Sequence, residues 1–145
     1  MKINIQETIK LINSEFIRIN GCYRQFAQQN KTNYYLMKVV YAMHLFPSIT
    51  QKQISENYKI PKQTVGSIIN TLEEQKYVIL EINENDKRIK EVAFTAKGKK
   101  YAETILAPMI ELERKATNKI GEKVLVQLQE ALTIYADALE EVVDI

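Results

Sequence analysis

Apolar residues recur along this chain in more than one period, and the points where the period changes divide it into elements. From about Ile5 to Gln29, the residues Ile5, Ile9, Ile12, Phe16, Ile19, Tyr23 and Phe26 alternate in steps of four and three. That is a heptad seam, which wants a partner helix. Gly21 within it costs about 1 kcal/mol in a helix interior and marks either a kink or a close approach. After the polar break Asn30-Lys-Thr-Asn33, a second helix is predicted from Tyr34 to Phe46, turning Leu36, Val39, Val40 and Met43 inward. Pro47 stops it, and Ser48-Ile49 bridge to the next helix.

From Thr50 to Gly98 the period shifts twice. Thr50 and Gln53 form a T-x-x-Q capping box, so a short helix opens there and ends near Asn57. A turn through Tyr58, Lys59 and Ile60 leads to Pro61, whose fixed φ and missing N–H suit the first position of a new helix. In that helix Val65, Ile68, Ile69 and Leu72 share one face, while Lys62, Gln63, Thr64, Ser67, Asn70 and Thr71 occupy the others. Two β-prone runs follow, Tyr77–Ile82 and Ile89–Thr95, separated by the polar tip Asn83-Glu-Asn-Asp-Lys-Arg88. Helix, turn, helix and hairpin in this order describe a winged helix-turn-helix.

Thr95 is the expected N-cap of a long helix with Tyr101, Ile105, Met109, Leu112 and Ala116 along one side, bent at Pro108. A break at Asn118–Gly121 precedes a final helix whose stripe is Val124, Leu128, Leu132, Tyr135, Leu139 and Val142 and whose end is acidic, with Asp137, Glu140, Glu141 and Asp144. The end helices carry more apolar surface than one small lobe can cover, which argues for packing against a second copy of the chain. A monomeric bundle is the competing arrangement. The expected fold is therefore mainly α with a small β-hairpin wing. It forms a single domain over residues 1–145, with a winged helix-turn-helix lobe at 34–100 and a helical dimerisation region at 1–30 and 101–145.

Composition narrows the function. At 145 residues, 46% hydrophobic and 26% charged, the chain matches one globular domain. No apolar run approaches the roughly 20 residues of a membrane span, and the start MKINIQETIK has no apolar signal core, so a cytoplasmic location without membrane partners is expected. The single cysteine, Cys22, excludes an intramolecular disulfide and a cysteine-based zinc site, and reads as an inert, half-buried thiol. His44 reads as a histidine hydrogen-bonded locally rather than a ligand. With one histidine, one cysteine and no phosphate loop or nucleophile elbow, no catalytic pair, metal site or cofactor is expected. The net charge of +2 says little, but Thr50–Lys100 holds ten basic residues against seven acidic ones. The concentration of Lys62, Lys87, Arg88 and Lys90 at one helix start and one hairpin tip favours phosphate contact over a merely solvated surface.

The block resembles the DNA-binding lobe of the MarR family of bacterial transcriptional regulators, through Pro61-Lys-Gln-Thr-Val65, Leu72-Glu-Glu74, Asp86-Lys-Arg88 and Phe94-Thr-Ala-Lys-Gly98. The resemblance implies a homodimer that binds a pseudo-palindromic operator in double-stranded DNA, usually as a repressor, and responds to a small phenolic or other aromatic effector, an oxidant or a metal. Lys76 departs from it, standing where the family often has glycine. Either a non-glycine residue takes the left-handed position there, at about 1 kcal/mol, or the helix ends differently. Gly66 and Ser67 also depart, so base preference does not transfer from relatives.

A helix lying in the major groove would aim Gln63, Thr64, Ser67 and Asn70 at base edges, with Gly66 letting the backbone come close. Lys52, Lys62 and Lys90 would fix register on phosphates. In the wing the resemblance implies that Asp86 orients Arg88, beside Lys87, for the minor groove or its phosphates. A surface ion pair capping a hairpin is the plainer alternative. The implied effector crevice would be lined from Tyr23, Tyr34, Tyr35, Tyr41 and His44, residues whose helical spacing equally suits core. A winged helix that binds another protein and no DNA is the alternative function.

Overall fold

The computed structural model describes residues 2–143. Asp144, read above with the acidic end, lies outside them. The elements run α1 (Ile5–Gln29), α2 (Tyr34–Leu45), β1 (Ile49–Thr50), α3 (Gln51–Tyr58), α4 (Lys62–Glu74), β2 (Val78–Ile82), β3 (Lys90–Phe94), α5 (Ala96–Ile120) and α6 (Glu122–Val143). The fold is mainly helical with a small antiparallel sheet, a winged helix-turn-helix. The chain divides into two compact units, one ending at Leu106 and one beginning at Ala107.

In the first unit the bridging segment before α3 is a correction to the sequence reading. Ile49 and Thr50 form a strand that pairs with Val92 and Glu91 of β3, so the sheet has three strands in the order β1-β3-β2. Two residues are too few for a period-2 pattern to register. β2 and β3 pair from Val78↔Phe94 to Ile82↔Lys90, which puts Val78, Leu80 and Val92 on the face towards the helices. The core joins Val39, Ile54, Ile60, Val65, Ile69, Leu72, Val78 and Val92, each large side chain contributing about 1.5–3 kcal/mol by its burial. The apolar face read for α4 is the buried one, with Val65, Ile69 and Leu72 inside.

Thr50 and Gln53 form the expected capping box, Gln53 N–H to Thr50 Oγ1 at 3.1 Å and Thr50 N–H to Gln53 Oε1 at 3.0 Å. The turn after α3 is held by the buried Ser55, whose hydroxyl donates to Ile60 O at 2.6 Å while Ile60 N–H donates to Ser55 O at 3.1 Å. Pro61 is the N-cap of α4, not its first helical residue: its ψ of 136° is extended, and its carbonyl accepts the first helical bond, from Val65 N–H. α1 runs unbroken through Gly21, where a Cβ would meet nothing within 4 Å, so neither a break nor a close approach occurs there.

Lys76 does take the left-handed conformation, at φ 63°. Around it Tyr77 N–H donates to Leu72 O and Lys76 N–H to Glu73 O, both at 2.9 Å, a complete Schellman pair. The same pairing closes α1 at Lys31, φ 53°, through Thr32 N–H to Ala27 O and Lys31 N–H to Gln28 O. Lys59 closes α3 at φ 52°. In all three places a lysine sits at the negative end of the helix dipole, which offsets part of the steric cost. Lys76→Gly is expected to raise stability by about 0.5–1 kcal/mol, seen as a later urea midpoint with unchanged slope.

In the second unit α5 continues through Pro108 to Ile120, and Gly121, at φ 82°, separates it from α6. Arg114 holds Glu111 with two hydrogen bonds of 2.8 and 2.7 Å. α6 has no buried residue. Its apolar stripe, Val124, Leu128, Leu132 and Leu139 among others, is exposed, as are Ile5, Phe16 and Ile19 on α1 of the first unit.

Candidate nucleic-acid interface

α4 presents Lys62, Gln63, Ser67 and Asn70 to solvent, with Thr64 half-buried beside them. Its first turn holds no acidic residue and no side chain caps it, so its leading N–H groups and positive dipole end are open to an anion. Gly66 is not required by packing, since a Cβ there would meet only Gln51 Oε1 at 3.8 Å. Lys52 lies on the exposed side of α3, 3.9 Å from Glu56. Lys62, Lys87 and Lys90 are exposed and have no acidic partner within 4.0 Å among the described residues.

The wing tip is built by side chains bonding to nearby backbone. Asn83 Oδ1 accepts from the N–H groups of Asn85 at 2.8 Å and Asp86 at 3.0 Å, and Asn83 Nδ2 donates to Glu91 at 2.8 Å. Asp86 Oδ1 then accepts from Arg88 N–H at 3.0 Å and from Arg88 Nε at 3.1 Å, while Oδ2 accepts from Nη2 at 3.1 Å. The guanidinium is gripped in a two-pronged fork although 89% of the side chain is exposed. Hydrogen bonds from Arg88 hold the Asp86 carboxyl below the usual carboxylate range. A depressed folded-state pKa means the fork is intact above the ordinary carboxylate pKa and is lost as pH falls through the lower folded value.

A clasp that sequence reasoning did not find joins the end of α4 to the start of α5. Thr95 is the N-cap expected there, its Oγ1 accepting from Gly98 N–H at 3.0 Å. The same hydroxyl donates to Lys76 O at 2.7 Å, and Lys97 Nζ donates to Gln75 O at 3.1 Å. The rings of Tyr77 and Tyr101 stack at 4.1 Å with 2° between planes, and Lys97 Nζ lies 4.9 Å from the Tyr77 centroid. The clasp satisfies carbonyls left open at the helix end and ties the pose of α4 to α5.

The five residues read as an effector lining are not among those around one cavity of the first unit. Tyr34 is buried, its hydroxyl 3.2 Å from Asn20 Oδ1 and its ring within 4.8 Å of the Arg24 and Lys38 cations. Tyr35 is 6.2 Å from it, Tyr23 and Tyr41 are half-buried, and His44 is exposed in the last turn of α2. The cavity, about 540 Å³, instead follows α4 and includes Gln63, Thr64 and Ser67. Cys22 is exposed, a correction to the half-buried thiol expected, because it lies on the face of α1 opposite Asn20 and Arg24, which meet Tyr34. Among the described residues no three histidines, cysteines or carboxylates gather as a metal site, and no helix is long and apolar enough to cross a membrane.

The model of the MarR family matches residues 38–89, the span from α2 to the wing tip. No curated protein matches the chain. Among solved structures, a MarR family regulator from Neisseria meningitidis is 27% identical, with 98% of each chain covered and a TM-score of 0.77. The transcriptional regulator BldR from Sulfolobus solfataricus is 18% identical over 94% of this chain and 99% of its own, TM-score 0.73. A MepR mutant from S. aureus, bound to an oligodeoxyribonucleotide, is 18% identical over 95% and 99%, TM-score 0.53. The last two share the fold. The family pattern falls on α3, α4 and the wing, and the Neisseria regulator covers nearly all of the chain, so the chain is similar to MarR family regulators over most of its length.

Proposed function

We propose that this protein is a sequence-specific double-stranded DNA-binding transcriptional regulator of the cytoplasm, acting as a homodimer on a pseudo-palindromic operator, as a repressor released by a small aromatic effector. The observation that carries the reading is the pairing of two devices on one lobe. An uncapped helix start leads into the polar face of Gln63, Ser67 and Asn70, and an exposed guanidinium is held in a fixed fork at the wing tip. The first suits base edges in a major groove, and the second suits an adjacent minor groove or its phosphates. That a MepR mutant of the same fold is bound to an oligodeoxyribonucleotide supports it. The homodimer is supported by the uncovered apolar stripes of α1 and α6, which a second copy would bury.

Electrophoretic shift of promoter duplexes at graded salt tests this. Lys52, Lys62 and Lys90 from two protomers give six phosphate neutralisations, hence a slope of log K against log salt of roughly −5. A flat salt response, or equal affinity for every duplex sequence, would sink the reading.

A further inference from the structure

The Arg88 side chain is 89% exposed, so the Asp86 fork orients it relative to the lobe only if Asp86 is itself fixed. The strands end at Ile82 and Lys90. Beyond them Asn83 N–H donates to Ile89 O at 2.9 Å, and Ile89 N–H donates to Asp86 O at 3.0 Å. Asp86 is held from the other side by Asn83, whose Oδ1 accepts the N–H groups of Asn85 and Asp86. That carboxamide is held in turn, its Nδ2 donating to Glu91 Oε1 at 2.8 Å.

Asn83 and Glu91 share one face of the hairpin and stand diagonal to each other, Asn83 opposite Ile89 and Glu91 opposite Glu81. Glu91 belongs to β3, the middle strand, and has Thr50 of β1 opposite it on its other side. It is half-buried and anchored in the sheet. The links from Glu91 through Asn83 and Asp86 to Arg88 are unbroken, none longer than 3.1 Å. The sequence reading placed Asp86 and Arg88 at the interface but neither Asn83 nor Glu91, because the bond between these two crosses the hairpin.

Strand pairing does not call for a carboxylate at position 91. Glu81 directly opposite is a like charge, which weakens a sheet. No lysine or arginine lies within 4.0 Å of Glu91 among the described residues. A negative charge near the wing tip also opposes approach to phosphates. Against both costs stands one charge-assisted bond, which fixes the Asn83 amide.

We propose that Asn83 and Glu91 are positioning residues for Arg88, tying the wing-tip guanidinium to the sheet so that it meets a DNA groove in a set direction. This inference rests on the proposed DNA-binding function and adds two residues to its machinery, neither of which touches DNA in this role.

Glu91→Gln and Glu91→Leu test it, because both remove the same charge and only the first keeps an acceptor for Asn83. Loss of a negative charge beside DNA by itself favours binding, so weakening by Glu91→Leu has the opposite sign to general electrostatics. Glu91→Gln is expected to bind operator duplex at least as tightly as the unsubstituted protein. Glu91→Leu is expected to bind roughly 3- to 30-fold more weakly than Glu91→Gln, within the range of coupling in one hydrogen-bond network. In an Arg88→Ala background the gap should close, which a general loosening of the lobe would not produce. Asn83→Ala should repeat the weakening and its dependence on Arg88. In the DNA-free protein, the heteronuclear NOE of Arg88 Nε–H should be high in the unsubstituted and Glu91→Gln proteins and reduced in Glu91→Leu. Equal affinity of the two Glu91 variants, a gap that persists without Arg88, or an NOE unchanged in Glu91→Leu overturns the positioning role. If the unsubstituted protein binds no duplex, the function beneath the inference fails, while the NOE still judges whether Glu91 holds the guanidinium.

Discussion

Gly98→Ala is expected to destabilise the winged lobe by about 3 kcal/mol or more, the upper end of what overpacking costs. The new Cβ would lie 1.7 Å from Tyr77 O, 2.7 Å from Tyr77 C and 3.1 Å from Tyr77 Cα. All three are backbone atoms, so no side-chain rotation can relieve the overlap. Either α5 must lift away or the chain at Tyr77, just before β2, must shift. Both movements pull on the same clasp: Thr95 N–H to Tyr77 O at 3.0 Å, Thr95 Oγ1 to Lys76 O, and the Tyr77–Tyr101 stack one turn beyond Gly98. A methyl added at Gly66, by contrast, meets a single side-chain atom at ordinary contact distance. Urea unfolding of Gly98→Ala checks the prediction, and a midpoint within error of the unsubstituted protein would show that α5 is not clamped onto Tyr77.

Arg88→Ala is expected to weaken operator binding roughly 5- to 150-fold, the range for loss of a groove contact, with little change in thermal stability. The two outcomes separate because the Asp86–Arg88 fork is a surface ion pair, and surface ion pairs add little to folding. What the fork supplies is orientation, since the guanidinium is held by Asp86 before any partner arrives. Asp86→Asn should lie between the two, keeping the shape but losing the charge-assisted grip. Because the Asp86 carboxyl is held below its ordinary range by Arg88, this contribution should be constant through neutral pH. It should fade only under acid conditions, as the carboxylate takes up its proton. Fluorescence anisotropy with labelled duplex, alongside a melting curve, reads both quantities. Full affinity in a folded Arg88→Ala protein would leave the fork as a hairpin cap and nothing more.

The features legible in the residue order are those decided within a few positions of chain. The capping box at Thr50 and Gln53 spans three residues, and the buried face of α4 repeats within two turns. Asp86 reaches Arg88 two residues away. In each case both partners sit inside the same short segment, so local geometry alone selects the outcome. Tertiary structure decided whatever joins distant segments. β1 exists because Ile49 meets Val92, and Pro61 caps α4 rather than entering it because Ser55 and Ile60 set the turn before it. Cys22 is exposed because it lies on the side of α1 away from Asn20 and Arg24, where Tyr34 of α2 packs. Gly98 is intolerant of a side chain only because Tyr77 lies against it from across the hairpin, and the cavity follows α4 because α2 and α5 approach it there. Those contacts depend on which surfaces meet after the chain has closed its loops, and residue spacing carries no term for that.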